Sequence, residues 1–250
     1  MKVIMRYDVI TVLDTCVDLI VNIGDVIPEF DQKEKWVDSF SLEMGGSNCI
    51  FACQSAKLGL KAAGIGVVGN DAFGRVITDE LSACGVDISY IRTYDDLNTG
   101  LGVLLTRRDD RAILTCSGSI GAVCPDLVTD DLLSSSRHLH IGSYYLLTGL
   151  MDELPDILHR AKNYGLSISL DTNWDPSETW FLPDELLSYV DIFFPNENDR
   201  RSVVLFNNTD NIVPYFATSP LVRNTNLIGN SNEWYWSMFL DCFDWIYNAG

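Results

Sequence analysis

Short apolar runs alternate with amphipathic stretches along most of this chain. Val9–Leu13 is an apolar run held between Asp8 and Asp14, and it predicts a buried strand. Leu19–Val21 predicts a second short strand. Trp36–Leu42, where apolar and polar positions alternate, predicts a half-exposed one. An amphipathic run from Gly45-Gly46-Ser47-Asn48 to Leu58 reads as a helix, and Ile65–Val68 follows as a buried strand. Asn70-Asp71 then turn the chain into a helix from Phe73 to about Cys84.

Gly102–Thr106 and Ala112–Thr115, joined by the charged segment Arg107–Arg111, predict a hairpin. From Pro125 helices and strands take turns. Helices are expected over Pro125–Leu133, Pro155–Asn163 and Pro183–Leu187, and strands over His138–Ile141, Ser167–Leu170 and Asp191–Phe194. That rhythm predicts an α/β fold with a mostly parallel sheet and helices on both faces. Ligands of such sheets bind beyond the carboxyl ends of the strands. Asp18, Asp171-Thr172-Asn173 and Pro195-Asn196-Glu197 each follow a predicted strand, which points to one shared site.

The rhythm stops near residue 200. Asparagines crowd the next segment, and an aromatic run from Trp234 to Tyr247 closes it, with Trp236, Phe239, Leu240 and Phe243 spaced for one amphipathic helix. The expected division is therefore an α/β core over 1–200 and an atypical tail over 201–250.

Charge and cysteines narrow the partners. A net charge of −18 excludes a nucleic acid or an anionic membrane surface and leaves small molecules. No apolar run is long enough to span a membrane. Arg6 and Asp8 interrupt any secretory leader, and seven cysteines form no CxxC pair. A cytoplasmic protein with free thiols is expected.

Several stretches carry candidate chemistry. Gly45-Gly46 before a helix lets the backbone approach a ligand, and the helix behind offers unpaired N–H groups to hydroxyls or anions. Gly64-Ile65-Gly66-Val67-Val68-Gly69 matches GxGxxG, with Asp87 at a ribose-contact distance downstream. A dinucleotide fingerprint needs a strand before the first glycine and a helix at the third. Here the glycines fall inside the strand, so packing is the better reading and a dinucleotide-binding oxidoreductase the lesser one. His138 and His140 share a strand face with no further ligand nearby and read as core histidines. Asp171-Thr172-Asn173 and Pro195-Asn196-Glu197-Asn198-Asp199 could hold Mg²⁺ through water and position phosphate oxygens. Ordinary turn and cap chemistry is the alternative.

Together these residues resemble the ribokinase-like (PfkB) carbohydrate kinases from about residue 8 to 200. Gly45-Gly46 through Lys57-Leu58-Gly59 to Gly69-Asn70-Asp71-Ala72-Phe73-Gly74 is similar to the family's GG loop, helix and G-(D/N)-D-x-x-G turn. Thr99-Gly100 resembles its Thr-Gly step into a lid strand, and Pro195-Asn196-Glu197 its PNE motif. The resemblance implies a ribokinase-like core with a small β lid built from about 15–44 and 94–116, and a sugar held between them. It implies ATP and Mg²⁺ as cofactors, and often a homodimer through the lid. Asp18, Gly45, Gly46 and Asn48 would then bind the sugar. Asn196, Glu197 and Asp199 would manage phosphate and metal, with Asp199 as the metal ligand and Asp171 and Asn173 as accessories. Asp199 stands where the family has glutamate, Ile50 where an asparagine is frequent, Leu13 where glycine is usual, and Asp175 where acidic-sugar kinases have arginine. The family's G-A-G-D loop, whose aspartate is the general base, has no counterpart after Arg201, where the glycines are Gly229 and Gly250. The sequence therefore predicts a sugar kinase whose C-terminal part is truncated or replaced and whose transfer step is impaired. The alternative is a non-catalytic sugar-binding remnant.

Overall fold

A computed structural model describes residues 5–108 and 110–194. The expected elements at Asn196, Glu197 and Asp199 and the whole 201–250 segment lie outside the described residues.

Two sheets organise the chain. The first six-residue strand, β1 (Tyr7–Val12), leads into β2 (Cys16–Asn22) and β3 (Ser39–Met44). Helix α1 (Ser47–Lys57) is followed by β4 (Ala62–Gly69), α2 (Ala72–Ala83) and β5 (Asp87–Tyr94). The hairpin β6 (Gly100–Arg107) and β7 (Asp110–Cys116) comes next. The second half runs α3 (Asp130–Ser134), β8 (Ser136–Ile141), α4 (Leu154–Asn163), β9 (Ser167–Leu170), α5 (Asp184–Ser188) and β10 (Ile192–Phe193). The large sheet has the order β10-β9-β8-β1-β4-β5 and every pairing in it is parallel. The small sheet has the order β3-β2-β6-β7, with β2 and β6 parallel and the two outer pairs antiparallel.

Strand β1 shows how the helices cover both faces. Ile10 and Val12 join a core with Leu132 and Leu133 of α3 and Leu154, Ile157 and Leu158 of α4. Val9 packs on the other side against Phe51 of α1. Leu13 joins Ala52 and Cys53 of α1 and Ile77 and Leu81 of α2. This is the expected parallel sheet with helices on both faces.

Two expectations need correction, and one strand was not expected. The helix drawn from Pro125 to Leu133 is broken into a 3₁₀ turn at Pro125–Leu127 and the short α3. Thr129 is extended and its side chain accepts from Leu132 N, so it caps a new helix instead of continuing the old one. The strand expected from Trp36 starts at Ser39. Strand β5 escaped the hydropathy reading because none of its positions is fully buried. Among the described residues it is an edge strand paired to β4 alone, and its β-forming residues Ile88, Tyr90, Ile91 and Thr93 were the available signal.

The glycine run that invites a dinucleotide reading lies wholly within β4, which is buried at every position. A Cβ on Gly64 would stand 2.6 Å from Leu13 Cδ1, and one on Gly66 3.1 Å from Leu13 Cβ. Leu13, where the resemblance led one to expect glycine, is fully buried, and Gly64 and Gly66 make the room it fills. Asp87, the supposed ribose ligand, accepts a hydrogen bond from the Tyr7 hydroxyl and pairs with Arg6. The dinucleotide reading falls on these contacts.

Candidate substrate site

The site assembles where β1, β8 and β9 end and α1 begins. Asp14, one residue beyond Leu13, is buried against the head of α1. Its Oδ2 accepts from Ser47 N and its Oδ1 from Asn48 N, both at 2.9 Å, and the Ser143 hydroxyl also donates to Oδ2. A carboxylate there satisfies two of the N–H groups that the first turn of a helix leaves unpaired and complements its dipole. Burial pushes the Asp14 carboxyl up to about 6, against the pull of those hydrogen bonds. Gly46 makes the approach possible. Its φ is +80°, and a Cβ there would stand 2.3 Å from the Asp14 carbonyl oxygen.

Asn173 ties the end of β9 to the same point. Its Nδ2 donates to Ser47 Oγ and to Ser143 Oγ, each at 2.7 Å. Both Asn173 and Ser143 hold left-handed backbone, with φ of 52° and 53°, a strained conformation that clusters at functional sites. Asp171, two residues earlier, is fully buried, and its Oδ1 accepts from Asn173 N.

Asn48 ties α1 to the end of β8. It is fully buried, its Oδ1 accepts from Gly142 N at 2.7 Å and from the Thr11 hydroxyl, and its Nδ2 donates to Gly142 O at 2.9 Å. Both ends of the amide are used in joining α1 to the end of β8.

Asp18 stands on β2 in the small sheet. A Cβ on Gly45 would lie 2.5 Å from Asp18 Oδ1, and one on Gly102 would lie 2.6 Å from the same atom. The carboxylate therefore occupies a notch that exists only because both neighbours lack side chains. Burial pushes its carboxyl up, Arg111 opposes this, and Glu43 reinforces it. Asp18, Gly45 and Gly46 are thus brought together with Asp14, Ser47, Ser143 and Asn173 at the start of α1.

A latch fixes how the small sheet leaves the large one. Asp71 caps α2 by accepting from Gly74 N, and it also accepts from Thr99 N and the Thr99 hydroxyl, all at 2.8 Å. Gly69 N donates to Thr99 Oγ1 at 2.9 Å. Burial raises the Asp71 carboxyl, but these hydrogen bonds outweigh it and hold the group below the ordinary carboxylate value. Thr99 then delivers the chain into β6 next to β2.

Two other sequence candidates stand apart from this site. Asp175 accepts from Ser177, Thr179 and the Trp180 N–H and organises its own loop. His138 and His140 are buried, and each reaches the Ser169 hydroxyl at 2.7 Å. Burial depresses both, His138 to about 3. No group of three or more metal-binding side chains occurs among the described residues. The six cysteines among them are free.

Asp14, Ser47, Gly102 and Ser143 were missed by sequence reasoning. Asp14 carried the same signal as Asp171, a carboxylate just past a buried apolar run. Gly102 sits inside a strand, which marks a close approach. Ser143 carried no signal, because its role depends on the left-handed turn after β8.

Fold and site together define an α/β protein that sets a carboxylate in a glycine notch beside a helix start, under a small second sheet. The chain belongs to the pfkB family of carbohydrate kinases, whose family model matches residues 15–215. It is 27% identical over 189 residues to a ribokinase of Arabidopsis thaliana, covering 70% of this chain and 48% of that protein. It is 30% identical over 176 residues to a 2-dehydro-3-deoxygluconokinase of Bacillus subtilis, covering 64% and 53%. The chain thus spans about half the length of the curated relatives it matches. The structure of Arabidopsis thaliana ribokinase complexed with ribose and ATP superposes with a TM-score of 0.68 at 20% identity, over 90% of this chain and 70% of that one. A putative ribokinase II from E. coli in complex with ATP and Mg²⁺ gives 0.66 at 24% identity, over 84% and 67%. These likenesses establish a ribokinase-like fold with a mostly parallel sheet and a second small mixed sheet. No helix among the described residues is long and apolar enough to cross a membrane.

Proposed function

We propose that this chain is the sugar-binding part of an ATP- and Mg²⁺-dependent carbohydrate kinase. The observation that carries the reading is the Asp18 carboxylate in the notch between Gly45 and Gly102. A carboxylate beside bare backbone accepts sugar hydroxyl hydrogens at close range, and charge-assisted hydrogen bonds of that kind are the strong ones. Gly45 and Gly46 shape the floor. Asp14, Asn48, Ser143 and Asn173 hold that floor still rather than touching the sugar, and Asp171 supports Asn173.

ATP and Mg²⁺ enter through the family and through the ATP- or Mg²⁺-bound proteins whose folds match. Asn196, Glu197 and Asp199 offer the oxygen donors a hard divalent cation takes, so their chemistry fits the metal. The metal would bring charge neutralisation to the phosphates. Transfer also needs a base for the sugar hydroxyl. A second reading, in which the chain binds sugar without transferring phosphate, is separated from the first by the ADP measurement below.

We further propose a homodimer through the small sheet. Its outer face carries two in-register apolar rows, Leu42–Leu19–Val103–Leu114 and Phe40–Val21–Leu105–Ala112. Phe40 is 74% exposed and Leu114 65%. An uncovered apolar surface of this kind marks an interface. Leu114→Glu should shift the mass of the full chain in solution from dimer to monomer.

The central reading is tested by titrating purified full-length protein with neutral pentoses and hexoses in calorimetry, then adding ATP·Mg²⁺ and following ADP release. Sugar binding that is lost in Asp18→Ala supports the reading. Equal sugar affinity in the wild type and Asp18→Ala would sink it. ADP release well above a no-protein control, and dependent on sugar, would favour the active kinase over the binding protein.

A further inference from the structure

The inner face of the small sheet carries more chemistry than Asp18. Residues in register on neighbouring strands share a face, and the face alternates along each strand. Asp18 lies opposite Glu43 on β3 and Gly102 on β6, and Gly102 lies opposite Thr115 on β7. One row across four strands therefore reads Glu43–Asp18–Gly102–Thr115. Because a Cβ on Gly102 would meet the Asp18 carboxylate, this row is on the notch side.

Glu43 and Asp18 are thus directly opposed like charges. Such a cross-strand pair destabilises a sheet. The arrangement is tolerable where both groups look into a cleft and a ligand can share their lone pairs. Arg111 shares the face, in register with Thr106 two rows further out, and acts on Asp18 more strongly than Glu43 does. With one cation for two carboxylates, the described inner face keeps a net negative charge, and Glu43 is the carboxylate left over. Glu43 is exposed, so its carboxylate is accessible.

Resting on the sugar-site reading above, we propose that Glu43 is a specificity-determining residue. It accepts hydroxyl hydrogens from the sugar beside Asp18 and excludes sugars that bring a carboxylate or a phosphate ester to this end of the cleft. The ligand is then an uncharged polyol. A sugar acid or sugar phosphate would place a second anion a few ångströms from Glu43, where like-charge juxtaposition is costly.

The test uses the full-length chain and matched ligands, namely neutral five- and six-carbon sugars, the corresponding sugar acids and the terminal phosphate esters. Dissociation constants are measured for the wild type, Glu43→Gln and Glu43→Lys. Wild type should prefer the neutral member of a matched set. Glu43→Gln should narrow that preference by about tenfold, the scale for one unit charge removed at short range from a partly exposed anion. Glu43→Lys should narrow it further or reverse it. Melting temperatures of the unliganded variants serve as the folding control. If wild type prefers the acid or the ester, or if both variants leave the ratio unchanged, Glu43 has no such role while the sugar site stands. If no sugar of any charge binds, the sugar-site reading itself fails and takes this inference with it.

Discussion

Replacing Asp14 by asparagine sets burial against hydrogen bonding at one atom pair. The carboxylate is 3% exposed and accepts from Ser47 N, Asn48 N and the Ser143 hydroxyl. Burial dominates, lifting the carboxyl from 3.8 to about 6. An acid with a raised folded value keeps its proton in the native state over a range where the unfolded chain has lost it. Its contribution to stability is full below the unfolded value and is lost as pH rises through the folded one. The gap between 3.8 and about 6 corresponds to about 3 kcal/mol in all, as an order of magnitude. Between about pH 7.5 and about pH 5, about 1.4 kcal/mol of that should be regained.

Asp14→Asn cannot titrate. Its oxygen can accept from one of the two backbone donors while its amide group faces the other, which costs about 1–3 kcal/mol at any pH. The wild type's advantage over the variant should therefore be larger at about pH 5 than at about pH 7.5, by about 1.4 kcal/mol. Urea unfolding of both proteins at both values, with equal slopes, measures this directly, because every other titrating group cancels in the difference. An advantage that shrinks on acidification would refute the reasoning. It would mean that the helix start and its three donors hold the carboxyl below its ordinary value, as carboxylates with several N–H partners can be held.

Other contacts give sharper yes-or-no outcomes. Asn48→Ala strands Gly142 N and Gly142 O and should lower stability by about 2–4 kcal/mol, read as a urea midpoint. Thr99→Val removes the hydroxyl between Gly69 N and Asp71 and should cost about 1–2 kcal/mol, with faster amide exchange concentrated in β6. Gly64→Ala forces a methyl onto Leu13 and should cost about 1–3 kcal/mol, most of it recovered in the double variant with Leu13→Ala. A glycine that served a cofactor would show no such coupling to Leu13.

The parallel sheet was legible because β1 and β4 are mostly apolar and buried along nearly their whole length, and because helical and extended stretches take turns after Pro125. Strand β5 was not, because an edge strand needs only one half-covered face and its residues carry little periodic signal. The same limit applied to the site. Asp18, Gly45 and Gly46 stood out as residue types in a motif. Ser143 and Gly102 matter only because a left-handed turn and a cross-sheet register bring them to that point, and both are long-range facts. Asn48 illustrates another limit. A motif placed it near ligand, and only the structure shows that its amide also joins α1 to Gly142 at the end of β8.

The parallel pairing of β2 with β6 has a consequence for how the molecule assembles. The register from Cys16↔Gly100 to Asn22↔Thr106 joins segments separated in sequence by β3, α1, β4, α2 and β5. Closing a loop of that length costs entropy before any pairing returns it. The closure becomes inexpensive only once β4, α2 and β5 have folded and Asp71 has caught Thr99. The small sheet is therefore expected to form after β4, α2 and β5 and to open before them. Contacts of such wide sequence separation slow folding, so nucleation is expected in β1, β4 and α1, the helix between them. In the native state the small sheet should open as a unit, well before the large one.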